Sequence, residues 1–285
     1  MKGLIVLALS LLAAQQAFKS GVDLVTMNVA VRRNGAIVTD LAATDFRLTD
    51  NGISQQIDVS VAESMPADIS LLIDTSGSMD GTMNEMRAQV RAIAKQLGPD
   101  DRLRLLTFSG DVREVFGFRA RTDDLPLDTL VAGGWTAIND ALGLAFIHQP
   151  APDRSHLIMV FSDAEDSAST IDLALLKDLT RRTEAVLHFF VVAPQPPSRR
   201  APINRERPPL PPIASVATLT GGDAVFMSAD DDISDGFRTA LRDFRRRYVL
   251  RYSAQGARQP GWHEVQVIVT KLGDFEVRTR RGYVQ

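Results

Sequence analysis

The chain has no cysteine, which excludes disulfides, a thiol nucleophile and a lipid-anchor cysteine together. A large excess of charge of either sign is missing as well. With 32 basic against 35 acidic residues, the net charge of −3 gives no electrostatic case for nucleic acid or an anionic membrane. No G-x-S-x-G, P-loop or H-E-x-x-H pattern occurs, which removes the common signatures of hydrolases and nucleotide enzymes. The histidines His148, His156, His188 and His263 are scattered, with no pair at the spacing of a helical ligand motif, and each reads as an ordinary surface or core residue. The apolar run Leu4 to Ala14 is too short to span a bilayer, which needs about 20 residues. After Met1-Lys2 it has the length of a signal-peptide core. Residues 1–17 are therefore expected to be a processing signal, cut after Ala14 or Ala17, with a retained anchor or buried helix as the other reading. The expected location is the periplasm, cell envelope or exterior, without stable membrane insertion once the signal is gone. An exported chain without disulfides has to rely on its core or on a metal.

What is present is a pattern of oxygen donors at strand ends. The run Ile69 to Ile73 is short and mostly apolar, as in a strand buried on both faces of a parallel sheet. Asp74 closes it, and Asp74-Thr75-Ser76-Gly77-Ser78 follows. A carboxylate and two hydroxyls at alternate positions, leaving the carboxyl end of such a strand, place three hard oxygens where open α/β sheets bind ligands. Hard oxygens suit Mg²⁺, Mn²⁺ or Ca²⁺. Alone the pattern is weak, since a serine-rich turn capping the next helix looks the same. Two further loops change that balance. Gly133-Gly134-Trp135-Thr136-Ala137 precedes a helical pattern from Ile138 to Ile147, and Ser162-Asp163-Ala164-Glu165-Asp166 ends the apolar run Leu157 to Phe161.

With these three motifs in order, the chain resembles the von Willebrand factor A family over about residues 66 to 250. The resemblance implies a metal-ion-dependent adhesion site on Asp74, Ser76, Ser78, Thr136 and Asp163, all filled by the expected residue types. It further implies a Mg²⁺ (or Mn²⁺ or Ca²⁺) cofactor and a protein partner presenting an acidic residue. Two carboxylates balance a divalent cation, three neutral hydroxyls withdraw little of its electrophilicity, and an open position would take a carboxylate. The segments Gly261-Trp262-His263-Glu264-Val265 and Arg280-Arg281-Gly282-Tyr283 resemble a bacterial exported subfamily. A scaffold that needs no metal is the second reading. A metal-dependent hydrolase is the third, and it lacks an evident general base.

The middle of the chain alternates strands and helices. Met83, Met86, Val90, Ile93, Ala94 and Leu97 recur at helical spacing, a core face. Leu103 to Phe108, Val186 to Val192 and Ala224 to Met227 read as strands, and Ile171 to Thr183 and Ile233 to Arg246 as helices. The expected fold class is α/β, a doubly wound, mostly parallel sheet, with a small β-sandwich formed from both termini. For the sandwich, Val22 to Val31, Ala36 to Thr39, Asp45 to Thr49, Tyr248 to Tyr252, Glu264 to Val269 and Phe275 to Thr279 read as strands, and Asp50-Asn51-Gly52 as a hairpin turn. The expected division is 18–65 and 247–285 for the β module around 66–246, with two unrelated β extensions as the alternative.

Four other features need placing. Pro194 to Pro212 holds eight prolines and four arginines, so it is expected to join no sheet or helix. It is either a tolerated insertion or a basic arm at the rim of the site. Trp135 is either an exposed partner-binding anchor or buried against the sheet. Asp140 and Asp166 read as helix caps or solvated acids, with a role behind the metal ligands as the other possibility. Asp230-Asp231-Asp232 lacks EF-hand spacing and reads as negative charge at a helix start.

Overall fold

Strand identity here follows from which faces are apolar. The computed structural model describes residues 24–62, 65–120, 124–151, 153–192, 209–227, 232–257 and 259–285. The expected signal segment, most of the proline-rich stretch, Asp230 and Asp231 lie outside them. The first strands are β1 (Leu24–Arg33), β2 (Ala36–Ile37), β3 (Phe46–Asp50), β4 (Ile53–Ser54) and β5 (Asp58–Val61). The alternating region follows as β6 (Ala67–Asp74), α1 (Met83–Ala94), β7 (Arg102–Phe108), β8 (Val112–Ala120), α2 (Ile138–Phe146), β9 (Ser155–Ser162), α3 (Leu173–Leu179), β10 (Val186–Val192), α4 (Ser215–Leu219), β11 (Asp223–Met227) and α5 (Ile233–Arg245). The chain closes with β12 (Tyr248–Ser253), β13 (Trp262–Val269), β14 (Glu276–Arg278) and β15 (Gly282–Val284).

Six strands form one sheet in the order β11-β10-β9-β6-β7-β8, parallel except for the antiparallel edge β8. Every residue of β6 and β9 is buried, because helices cover both faces. Ile69, Leu71 and Ile73 of β6 pack in one layer with α1 and α5, while Leu72 packs in the other with α2, α3 and α4. In α1, Met83, Met86, Val90 and Ile93 are buried. Burial stabilises such side chains by roughly 1.5–3 kcal/mol each, against propensity differences below about 0.7 kcal/mol per residue, so packing decides that this segment is helical. Because β6 is followed by β7 on one side and β9 leads to β10 on the other, the carboxyl ends of β6 and β9 form the switch point where a crevice opens.

The two ends of the chain combine as expected. One sheet has the order β14-β1-β12-β5 with β2 on β1, and the other has β15-β13-β3-β4. Their shared core holds Met27, Val29, Val31, Leu48, Tyr248, Leu250 and Tyr252. Asn51 (φ 48°) and Gly52 (φ 79°), like Asn34 (φ 51°) and Gly35 (φ 77°), take the positive φ pair that a type I′ hairpin turn requires. At the centre of the sandwich the buried Asp50 accepts from Tyr283 Oη at 2.9 Å and Tyr252 Oη at 3.0 Å, and His263 Nδ1 lies 2.9 Å from its other oxygen. Gly282 lies where a Cβ would stand 2.0 Å from the His263 carbonyl oxygen, so the strand carrying Tyr283 can pair closely with β13 only if that residue is glycine.

Several expectations change. The helix expected over Ile171 to Thr183 is the shorter α3, because Asp172 caps its start by accepting from Leu175 N at 2.7 Å and Arg181 already leaves the helical ladder. Pro212, expected outside any helix, opens a short 3₁₀ turn ahead of α4, where its missing N–H is no loss. The histidines are not all scattered, since His148 and His156 meet edge to face at 4.9 Å across the loop that separates them. Beside them the buried Asp68 accepts from Arg102 at 2.8 and 2.6 Å and from Arg154 at 2.6 Å. Burial raises the Asp68 carboxyl, but these hydrogen bonds outweigh it and hold the group below the usual carboxylate range.

Two buried histidines should make the fold acid-sensitive. Burial pushes His156 down to about 3, with His148 adding to it, and pushes His188 down to about 3, with Arg247, Arg32 and Arg278 adding. The unfolded chain, with histidine near 6.5, takes up these protons first. Their contribution is therefore fully present above about pH 6.5 and is lost as pH falls towards 3. Between pH 7 and pH 5 each histidine should cost about 2 kcal/mol. The raised carboxyls of Asp74 and Glu184 act in the opposite sense. The difference between wild type and His188→Gln in urea unfolding at the two pH values isolates one histidine. A variant as acid-sensitive as the wild type would contradict this account.

Candidate metal centre

The loop after β6, the loop before α2 and the loop after β9 meet at the switch point. Backbone bonds tie the first two: Gly77 N donates to Gly134 O at 3.1 Å and Gly133 N to Thr75 O at 2.8 Å. The second is tied to the third, with Ser167 N and Ala168 N donating to Thr136 O at 2.8 and 3.0 Å and Thr136 N donating to Ser167 Oγ at 2.9 Å. Gly134 has φ 84°, which an L side chain rarely adopts, so the turn that presents its carbonyl to Gly77 requires glycine.

All five candidate donors lie in or beside this junction. Asp74 is fully buried, Ser76 and Thr136 are buried, Asp163 is half-buried and Ser78 is exposed. Ser76 Oγ and Ser78 Oγ are 3.0 Å apart. Asp74 accepts from Ser76 N at 2.8 Å and from Ser162 Oγ at 2.6 Å. The hydrogen bonds that Thr136 makes run through its backbone, leaving its hydroxyl for another role. Burial pushes the Asp74 carboxyl up against the pull of its serine partners, and the Asp163 charge adds to the rise. Two carboxylates near enough to repel, with hydroxyl oxygens alongside, fit a cation that would remove the repulsion. Among the described residues no three His, Asp or Glu side chains gather as a ligand set.

Residues that motif reading left out hold this arrangement. Ser162 bridges Asp74 and Ala164, donating to the carboxylate and accepting from Ala164 N at 3.0 Å. Ala164 has φ 66°, a conformation that costs a non-glycine residue roughly 1–2 kcal/mol and that turns the chain just after Asp163. Asp140 and Asp166 are neither caps of their own helices nor free acids. Asp140 accepts from Thr170 N and Ile171 N at 2.8–3.1 Å, and Asp166 accepts from Asn139 Nδ2 at 2.9 Å and Ser169 Oγ at 2.6 Å, bracing the third loop against α2. Asp232 caps α5 through Ser234 N at 2.8 Å, the charge at a helix start expected of it. Trp135 is 71% exposed and Val131 70% exposed on the loop leading to Thr136, so the tryptophan is not buried against the sheet.

Residues 68–205 match the family model of the von Willebrand factor type A domain. No curated relative matches the chain. Solved structures similar to it include a von Willebrand factor type A protein from Catenulispora acidiphila, at 13% identity and TM-score 0.48, covering 94% of this chain and 75% of that one. An aerotolerance-related membrane protein from Bacteroides fragilis aligns at 15% identity and TM-score 0.47, covering 63% and 99%. Proximal thread matrix protein 1 from the mussel byssus, with a zinc-occupied metal-ion-dependent adhesion motif, aligns at 16% identity and TM-score 0.49, covering 69% and 50%. Such domains are commonly protein-interaction modules without enzymatic activity and often carry a divalent metal. This chain contains a von Willebrand factor type A domain, which residues 68–205 carry.

Proposed function

We propose that the chain is a divalent-cation-dependent protein-binding module of the cell envelope, serving adhesion or assembly and not catalysis. Asp74, Ser76, Ser78, Thr136 and Asp163 would hold the ion, with Mg²⁺ the first choice among oxygen-seeking cations. A partner's Asp or Glu would take an open position on it. The observation that supports this reading is the backbone bonding of the three loops at the switch point, with Ser76 Oγ 3.0 Å from Ser78 Oγ and the Asp163 charge acting on Asp74. These residues bind and orient. Asp74 and Asp163 would offset the ion's charge, and the hydroxyls would leave it electron-poor towards a carboxylate.

The test is recovery of partners from envelope extract by the purified protein, with Mg²⁺ or EDTA. Partners recovered only with Mg²⁺ are expected. Equal recovery in both lanes would leave the metal-independent scaffold, which the backbone bonds already joining the loops favour. Trp135 is proposed as a partner contact beside the ion. Trp135→Ala should weaken partner binding by roughly 30-fold, a typical effect of a hot-spot aromatic, and leave ion affinity unchanged in calorimetry. An unchanged partner affinity would remove Trp135 from the interface. Export is proposed from the amino-terminal sequence. Among the described residues no helix is long and apolar enough to cross a membrane.

A further inference from the structure

The two edges of the six-stranded sheet differ in how they are guarded. Edge strand β8 carries Arg113, Glu114 and Arg119, and its pairing with β7 slips in register, so charge and irregularity both oppose a further strand there. At the opposite edge β11 pairs in continuous register with β10 from Asp223 to Met227, and it has no other strand partner among the described residues. After Asp223 it carries Ala224, Val225, Phe226 and Met227, with no charge, proline or bulge to guard it. Val225 is 44% exposed, although its cross-strand partner Phe190 and its same-face neighbour Met227 are buried. These three line a groove of about 490 Å³ between β11 and α5. Phe226 lines it as well while its side chain packs in the layer of α2, α3 and α4, so the groove reaches the edge of the strand. Helix α5 and its cap present Asp232, Asp235 and Asp243 to the groove, and β11 adds Asp223. Asp243 accepts from Arg32 at 3.0 Å and Asp223 from Arg278 at 2.7 Å. The other two are exposed. Asp232 caps α5, and Asp235 pairs at 2.8 Å with the exposed Arg238, a bridge of little worth in water.

We propose that the β11 edge and this groove dock an extended segment of a partner protein, added to the sheet as a further strand with arginine or lysine at alternate positions. The added strand would take up the outward N–H and C=O groups of the edge. Every second side chain would face α5, where the aliphatic stems of arginine or lysine cover Val225 and their charged ends reach Asp232 and Asp235. Charge decides the occupant. A second copy of this edge would bring like carboxylates together, and an acidic segment would meet the same repulsion. The groove shares no residue with the candidate metal centre, so the inference does not rest on the function proposed above.

The probe is a capped hexapeptide of alternating arginine and valine, titrated into the full chain in EDTA. A block peptide of the same composition, arginines first and valines after, controls for charge without alternation. The alternating peptide should bind and slow amide exchange in β11. Its affinity should fall roughly 10-fold in the double variant Asp232→Asn, Asp235→Asn, in which asparagine keeps the helix cap. Added salt should weaken wild-type binding in the same sense, which reads the charges without any substitution. A peptide of alternating glutamate and valine should not bind. No binding of the arginine peptide, equal binding of the block peptide, or β11 exchange that stays unchanged on binding would overturn the proposal. So would a dimer of the free chain whose β11 exchange is already slow, because a second copy would then hold the edge.

Discussion

Asp74→Asn should lower Mg²⁺ affinity by roughly 1000-fold and yet leave the protein at least as stable as wild type in EDTA. Loss of a group behind the ligands typically costs 10–100-fold, and loss of a charged ligand costs more. The stability half of the expectation follows from what Asp74 meets without an ion. It is fully buried, and burial together with the Asp163 charge raises its carboxyl. Asparagine keeps an acceptor for Ser76 N and removes the buried charge, while Ser162 Oγ can turn its hydroxyl to accept. Unfolding with and without Mg²⁺ reads both halves. Wild type should gain stability from the ion and the variant should gain none. A variant that keeps the Mg²⁺ increment would show that Asp74 is not a ligand.

Asp50→Ala should destabilise the fold by about 4 kcal/mol, because it leaves three buried polar groups without their partner. Tyr252 Oη, Tyr283 Oη and His263 Nδ1 all converge on this one carboxylate, and His263 and Asp50 have no exposed side-chain surface. Burial raises both tyrosine hydroxyls above their usual range and the Asp50 charge adds to it, so neither ionises and both remain donors to the carboxylate. The cluster joins β3, β12, β13 and β15, strands from both ends of the chain. Tyr283→Phe, which removes one donor and leaves the carboxylate two, should cost only about 1 kcal/mol. Denaturant midpoints for the two variants check this ordering. An Asp50→Ala cost below that of Tyr283→Phe would show that the network contributes no specific stability.

The parts of the site that sequence reading reaches are those written in short stretches. Asp74, Ser76 and Ser78 fall within five residues, and Thr136 and Asp163 stand at the edges of clear helical and apolar runs. The positive φ of Asn51-Gly52 and the buried face of α1 are likewise local properties. What escapes is held by distance in the chain. Ser162 reaches Asp74 across 88 positions, and Asn139 reaches Asp166 across 27, so no window shows them together. Edge strand β8 escapes for another reason. Its alternation is broken by half-exposed charges, and its pairing with β7 slips between Leu103 and Leu106. The burial of Arg247 has no sequence signal, because an arginine after a helix ordinarily reads as solvated.

Asp74, Ser76, Ser78, Thr136 and Asp163 are proposed to hold one cation. The most direct measurement is anomalous diffraction from crystals of the chain grown in Mn²⁺, which replaces Mg²⁺ among oxygen ligands. The account predicts an anomalous peak among the hydroxyls of Ser76, Ser78 and Thr136, absent in Asp74→Asn. No peak there at saturating Mn²⁺, or a peak that survives the substitution, would contradict it.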